Sequence, residues 1–232
     1  GLYGACSTSG LSIAMAAMMI AGGMTENAAC VTSSHYASAE KEFRFPLDYG
    51  NQRPMSATTT VTGSGAFILS GQKSELDYAR VTAITIGKIV DLGIRDSMNM
   101  GACMAPAAAD TIERHLRDFQ RKPEDYDRII TGDLGMVGQT ALVDLLQKKG
   151  IDITAQHMDC GIEIYDESQD AHSGGSGCGC AAVTLAALIL KKLKEGSYKR
   201  VLFVPTGALL SKVSFNEGKS IPGVAHAVEF AG

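Results

Sequence analysis

The sequence predicts a layered α/β fold, and three observations predict it. Short β-branched runs alternate with amphipathic helical stretches along the second half of the chain, the pattern of a sheet flanked by helices. A helix near the start, Ser12 to Ala21, is apolar all round, so it has to be covered on all sides. A glycine-rich turn, Ser173-Gly174-Gly175-Ser176-Gly177, leads into another long helix.

Taken in order, the elements read as follows. The first helix has Ser12 as its one polar residue and stops at Gly22-Gly23. Ala28–Ser33 is a short buried strand. A polar, aromatic loop spans Tyr36 to Pro54. Thr58–Ser70 and Arg80–Val90 are rich in β-branched residues and read as a hairpin bending near Gly71-Gln72-Lys73. Pro106 opens the next helix at its first turn. That helix sets Ile112, Leu116 and Phe119 on one face, with Asp110–Arg114 and Glu113–Arg117 as (i, i+4) pairs on another. Arg128–Thr131 is a brief strand. Met136–Lys149 is a helix with Val137, Ala141 and Leu145 inward. Cys180–Lys194 is a third amphipathic stretch, closed by Gly196. Arg200–Pro205 is a strand, and Ile221–Phe230 has strand character.

Composition narrows the function. The chain has 232 residues, 45% hydrophobic and 20% charged, enough for one large domain or two smaller ones. Its formal net charge is -4, with no stripe of lysine or arginine, so no nucleic-acid partner is expected. The longest apolar stretches, Leu11–Met24 and Ala181–Leu190, are too short to span a bilayer. Six cysteines at 6, 30, 103, 160, 178 and 180 follow no secreted disulfide framework and point to reduced thiols in the cytosol. His172, Cys178 and Cys180 fit no zinc spacing, and no metal centre is expected.

Cys6 is the first candidate for chemistry. It stands in Gly4-Ala5-Cys6-Ser7-Thr8, just before the apolar helix. Unpaired backbone N–H groups and the helix dipole there favour a thiolate, an oxyanion or a bound carboxylate. The other reading is a small buried cysteine at a tight turn. His226 lies in an apolar stretch, as a core histidine or as a site residue. His35 follows a buried strand and either lines the site or anchors the polar loop. His115 and His157 read as surface residues. Lys41, Arg44 and Arg53 cluster with Phe43, Phe45 and Tyr49, which suits a planar dicarboxylate or an ordinary solvated loop.

Gly-Ala-Cys-Ser-Thr before a small-residue helix resembles the nucleophile turn of thiolases and ketoacyl synthases. Several further runs resemble the stage V sporulation protein AD family. They include Ser33-Ser34-His35-Tyr36, Phe43-Arg44-Phe45-Pro46, Gln52-Arg53-Pro54, Thr60-Val61-Thr62-Gly63-Ser64-Gly65-Ala66, Met104-Ala105-Pro106-Ala107 and Ile221-Pro222-Gly223-Val224-Ala225-His226. The resemblance implies a thiolase-like αβαβα fold with an incomplete first half: residues 1–91 as the remainder of the N-terminal half and 95–232 as the C-terminal half. It also implies a site. Where a ketoacyl synthase keeps its histidine, this chain has Gly132-Asp133, and an aspartate is a poor neutral proton shuttle at pH 7. At the second polar position stand His172 and Ser173. The expectation is a vestigial nucleophile position at Cys6 and a ligand set of His172, Ser173, His226, His35, Asp133 and Arg44. The implied ligand is dipicolinic acid, pyridine-2,6-dicarboxylate, free or as its calcium chelate. The resemblance further implies no cofactor, a homodimer, and a cytoplasmic place beside the spore inner membrane with other stage V sporulation operon A proteins. An acyltransferase using Cys6 and a structural scaffold are the alternatives.

Overall fold

The structure, a computed structural model, describes residues 1–43, 53–72 and 79–232. The basic aromatic cluster built on Arg44 falls largely outside these residues.

A five-stranded sheet forms the centre. Its strands are β4 (Arg80–Thr85), β5 (Arg128–Thr131), β6 (His157–Asp159), β8 (Arg200–Val204) and β11 (Ala227–Ala231), in the order β4-β11-β8-β5-β6. β11 runs antiparallel to both β4 and β8, while β8, β5 and β6 are parallel. β8 reads Arg-Val-Leu-Phe-Val and is buried on both faces, which is why it lacks an apolar–polar alternation. Its side chains divide between two cores. Leu202 and Val204 join Ile129 beneath α3 (Met100–Asp118) and α4 (Gly135–Gln147). Val201 and Phe203 join Ile130, Val228 and Phe230 on the opposite face, against α1 (Thr8–Ala21) and the helix that starts as α6 (Cys178–Thr184). That helix widens into a π-helical turn at Leu185–Ile189 and ends as α7 (Leu190–Lys194).

Beyond α1 and α6 lies a second sheet, β1 (Asn27–Ser34) antiparallel to β3 (Gly63–Ser70). Cys30 and Phe67 face the helices. Val31 and Ile68 point outward, 66% and 83% exposed. The layers are therefore helix, sheet, helix, sheet. α1 is buried at Ser9, Gly10, Ile13, Ala14 and Ala16, but Met18 and Met19 at its far end are 38% and 40% exposed. The expectation of cover on all sides holds for its first half only. Among the described residues, no helix is long and apolar enough to cross a membrane.

Four local expectations are corrected. Thr58–Ser70 and Arg80–Val90 do not form a hairpin: β3 pairs with β1 and β4 with β11, across the fold. Part of the expected polar loop is helical, as α2 (Tyr36–Phe43). Pro106 sits inside α3, because the helix starts earlier, capped by the Asn99 side chain accepting from Ala102 N at 3.3 Å. α4 turns Leu142 and Leu146 fully inward; Ala141 and Leu145 pack against the same core only partly buried, and Val137 is not part of that packing. Gly101 and Gly138 set that rotation: a Cβ on Gly101 would lie 3.0 Å from Gly138 Cα, so α3 and α4 touch backbone to backbone. On the surface, Asp110 pairs with Arg114 at 3.9 Å, whereas Glu113 pairs with Lys149.

Two further corrections concern histidines. His115 is fully buried, with Nδ1 2.9 Å from Thr85 Oγ1 and Nε2 3.7 Å from Glu229. His157 is half-buried, 3.0 Å from Thr131 Oγ1. Neither is the surface residue its sequence context suggested.

Candidate ligand site

The Cys6 turn is held by its own hydroxyls. Ser7 Oγ donates to Gly4 O at 2.6 Å, and Thr8 Oγ1 donates to Ala5 O at 2.6 Å. Ala5 has φ of 48°, a left-handed conformation costly for a residue with a Cβ. The strand β9 (Thr206–Ala208) presses against this turn: a Cβ on Gly207 would lie 2.4 Å from Gly4 O. Glycine at 207 is thus what lets β9 approach.

Thr206, at the start of β9, faces Asp133. Thr206 Oγ1 donates to Asp133 Oδ1 at 2.6 Å, and Gly177 N–H donates to Oδ2 at 3.3 Å. The Cys6 thiol stands beside the same carboxylate, near enough for each to shift the other's titration. Asp133 is 1% exposed. Burial pushes its carboxyl up to about 7; Thr206, Cys6 and Gly177 oppose the rise and the nearby Asp159 adds to it. Cys6 responds in kind. Burial first, then the Asp133 charge, raise its thiol well above the ordinary range. The helix N-terminus favours a thiolate, yet burial and the neighbouring carboxylate outweigh it, so Cys6 is a neutral thiol at pH 7. Of the two readings the sequence left open for Cys6, the electrostatics favour the small cysteine at a tight turn over the thiolate.

Asp159 fixes the loop that carries Asp133. Its Oδ2 accepts from Thr131 Oγ1 at 2.6 Å and Leu134 N at 3.0 Å; its Oδ1 accepts from Gly135 N and Gly161 N, each at 3.0 Å. Sequence reading missed this residue. Its signal was an aspartate at the N-cap of a short helix, α5 (Cys160–Glu163).

Cys6 and Asp133 open onto a cavity of about 600 Å³. His35, Ser176, Gly177 and Cys178 line it, with Met100 and Met104 on an apolar side. Cys178 donates its S–H to Ser33 O at 2.9 Å, and burial raises its thiol. The sequence offers Cys178 only as a metal ligand with the wrong spacing, not as a residue of this cavity. Nine hydroxyl side chains border the cavity, Ser176 and Tyr3 among them. Among the described residues, no lysine or arginine lines it, and no group of three metal-ligating side chains exists.

The expected ligand set divides. Cys6, Asp133 and His35 meet at the cavity. His172, Ser173 and His226 are not among its lining residues. His172 is half-buried at φ 53°, and its Nδ1 donates to Pro54 O at 3.2 Å. Ser173 is a clamp: its Oγ accepts from Val137 N at 3.2 Å and its carbonyl from Met136 N at 2.8 Å, tying the glycine-rich turn to the start of α4. His226 is 5% exposed, with Nδ1 accepting from Gly87 N at 3.2 Å; burial lowers its pKa, so it is a neutral core ring. Arg44 lies outside the described residues. Arg53 is placed, donating to Thr59 Oγ1 at 3.5 Å.

Two stacked sheets with a buried helix that begins at a cysteine turn define a thiolase-like protein. Solved structures agree with that class. A tetronic acid condensing enzyme superposes with a TM-score of 0.60 at 17% identity, over 100% of this chain and 65% of its own. The 3-oxoacyl-(acyl carrier protein) synthase III of Pseudomonas aeruginosa gives 0.60 at 14% identity, over 98% of this chain and 65% of its own. Cerulenin-bound OleA of Xanthomonas campestris gives 0.61 at 14%, over 99% and 62%. At these identities the likeness is one of fold, and the chain spans less than two thirds of each structure's length. The family is narrower. Residues 1–231 match the stage V sporulation protein AD family, and the chain belongs to it. A curated relative, stage V sporulation protein AD of Bacillus subtilis (strain 168), is 46% identical over 229 residues, covering 99% of this chain and 67% of the relative.

Proposed function

We propose that this sporulation-family protein binds dipicolinic acid, free or as its calcium chelate, without transferring an acyl group. In this reading the bound ligand is handed on for uptake into the developing spore. The protein acts from the cytoplasmic side of the spore inner membrane, beside other stage V sporulation operon A proteins. The observation that carries it is the Cys6–Asp133 pair. An acyl transfer at Cys6 needs a thiolate and a base to make it. Here the thiol is kept protonated, and the group beside it is a buried carboxylate locked by Thr206 rather than an imidazole. What remains is a cavity of about 600 Å³, largely apolar with hydroxyls interspersed, a setting for a planar aromatic ring whose carboxylates reach the hydroxyls.

Calorimetry with dipicolinate, with and without calcium, tests the reading. The expected result is saturable binding at one site per chain. The geometry refines the residue ranking: His35→Ala should weaken binding about tenfold or more, as loss of one charge-assisted hydrogen bond does. His172→Ala and His226→Ala, outside the cavity lining, should change it less than about threefold. No binding at millimolar dipicolinate would favour a structural scaffold. A stable acyl adduct on Cys6 after incubation with acyl-CoA would favour an enzyme.

A further inference from the structure

The cavity has an electrostatic problem. Among the described residues, its lining offers Asp133 as its one carboxylate and no lysine or arginine against it. Around Asp133 stand Cys6 from the turn before α1, Cys178 and Cys180 from α6, and Asp159 and Cys160 from β6 and α5. His35 borders the same space. None of the groups named here is a lysine or arginine. Asp159 already accepts four hydrogen bonds, three of them from backbone N–H groups. An incoming dicarboxylate would place further negative charge beside the buried Asp133. Carboxyl groups packed together at such a site cannot all ionise; one of them keeps a proton.

We propose that a dicarboxylate anion enters this cavity together with one proton, which settles on the Asp133 carboxyl and is donated in a hydrogen bond to a carboxylate of the ligand. The inference rests on the dicarboxylate reading above. The balance is simple: one proton leaves the solvent, one O–H bond forms on Asp133, and no other bond changes. Oδ1 is occupied by the short Thr206 bond, whereas Oδ2 meets the Gly177 N–H at a longer 3.3 Å. In the empty site the Asp133 carboxyl titrates at about 7, so the proton is a small step away at cellular pH. The Cys6 thiol is already protonated and cannot take it up.

The test is titration calorimetry of the intact chain with dipicolinate in calcium-free buffers of different ionisation enthalpy, which yields the protons taken up per ligand bound. The expected uptake is about one at pH 8.5, falling towards zero at pH 5.5, where Asp133 is protonated beforehand. Affinity should then weaken about tenfold per pH unit above 8. Pyridine-2,6-dicarboxamide, the neutral isostere, should bind without uptake. Asp133→Asn should bind dipicolinate with no uptake and a flat pH profile. Binding by the unaltered chain without uptake at pH 8.5 overturns the proposal and leaves the dicarboxylate reading standing. Uptake that persists in Asp133→Asn also overturns it, and assigns the proton elsewhere. Failure of the unaltered chain to bind dipicolinate at any pH overturns the dicarboxylate reading itself, and this inference with it.

Discussion

Asp159→Ala should be among the most damaging single substitutions in the chain, although Asp159 does not line the cavity. The side chain is 1% exposed and accepts four hydrogen bonds. Its removal strands the N–H groups of Leu134, Gly135 and Gly161, whereas the Thr131 hydroxyl keeps His157 Nε2 at 3.0 Å. A buried donor left unpaired costs about 1–3 kcal/mol. The three costs will not add fully, because the loop relaxes and water can enter. A loss of about 3–5 kcal/mol is the expected total. For a chain of this length that lowers the thermal midpoint by about 6–20 °C, at about 2–4 °C per kcal/mol. Differential scanning fluorimetry or calorimetry reads it directly. A second readout separates stability from placement. Asp159 helps to raise the Asp133 carboxyl, so Asp159→Asn should move the Asp133 titration below 7 while its amide keeps part of the packing. A drop of less than about 2 °C for Asp159→Ala would refute the claim that this carboxylate holds the Asp133 loop.

Three other outcomes follow from the same structure. Cys6 should react with iodoacetamide at pH 7.5 more slowly than a free thiol of ordinary pKa, and Asp133→Asn should speed it by removing a neighbouring charge; a fast wild-type rate, read by mass spectrometry, would contradict the neutral thiol. Glu229 is 1% exposed, bonded by Tyr126 OH and Thr82 Oγ1 at 2.7 Å each and flanked by Arg121 and Arg200. Burial pushes its carboxyl up, but these partners outweigh it and hold it below 4.5, so its contribution is present above that pH and lost as pH falls through the lower folded value. Glu229→Gln should therefore cost about 2–4 kcal/mol at pH 7 and much less at pH 3, checked by denaturant unfolding at both. The apolar outer face carrying Val31 and Ile68, with two sheet edges beside it, leads us to expect a homodimer, and light scattering should give twice the 24.4 kDa chain mass rather than a concentration-independent monomer.

The layered α/β class was legible because its signals are local. An all-apolar helix, a doubly buried strand such as Arg200–Val204 and a glycine-rich turn each announce themselves within a dozen residues. Pairing across the sheet was not legible. β4 meets β11 with Thr82 Oγ1 reaching Glu229, 147 residues away, and nothing in either stretch favours that partner over the nearer β3. Helix faces failed for a related reason: Gly138 in α4 is a contact point, and hydrophobicity gives glycine no weight. At the site, Cys6, Asp133 and His35 could be found from motif positions. Asp159 left one local signal, an aspartate before a short helix; Thr206 and Cys178 left none, since their roles come from hydrogen bonds that join separate elements. That His172 and His226 stand outside the cavity lining was not legible, because an imidazole in a matching run carries no sign of where its ring points.

On the proposed reading, the contrast between binding and turnover comes down to which group faces the thiol. A neutral imidazole beside Cys6 could accept its proton and return it to a leaving group, because both its forms are accessible near pH 7. Asp133 also titrates near pH 7, which at first suggests that it could do the same. It cannot generate a nucleophile. Proton transfer from Cys6 to Asp133 would leave a thiolate on a half-buried sulfur, and desolvation is what raises the thiol most. An imidazole becomes a cation when it takes the proton and so stabilises the thiolate it creates; a carboxylate becomes neutral and offers no such compensation. The Thr206 bond at 2.6 Å and the four bonds on Asp159 hold the carboxyl in place for hydrogen bonding rather than for transfer to and from sulfur. A proton on Asp133 is useful to a ligand that brings its own negative charge, and of little use to a reaction that has to create one on Cys6.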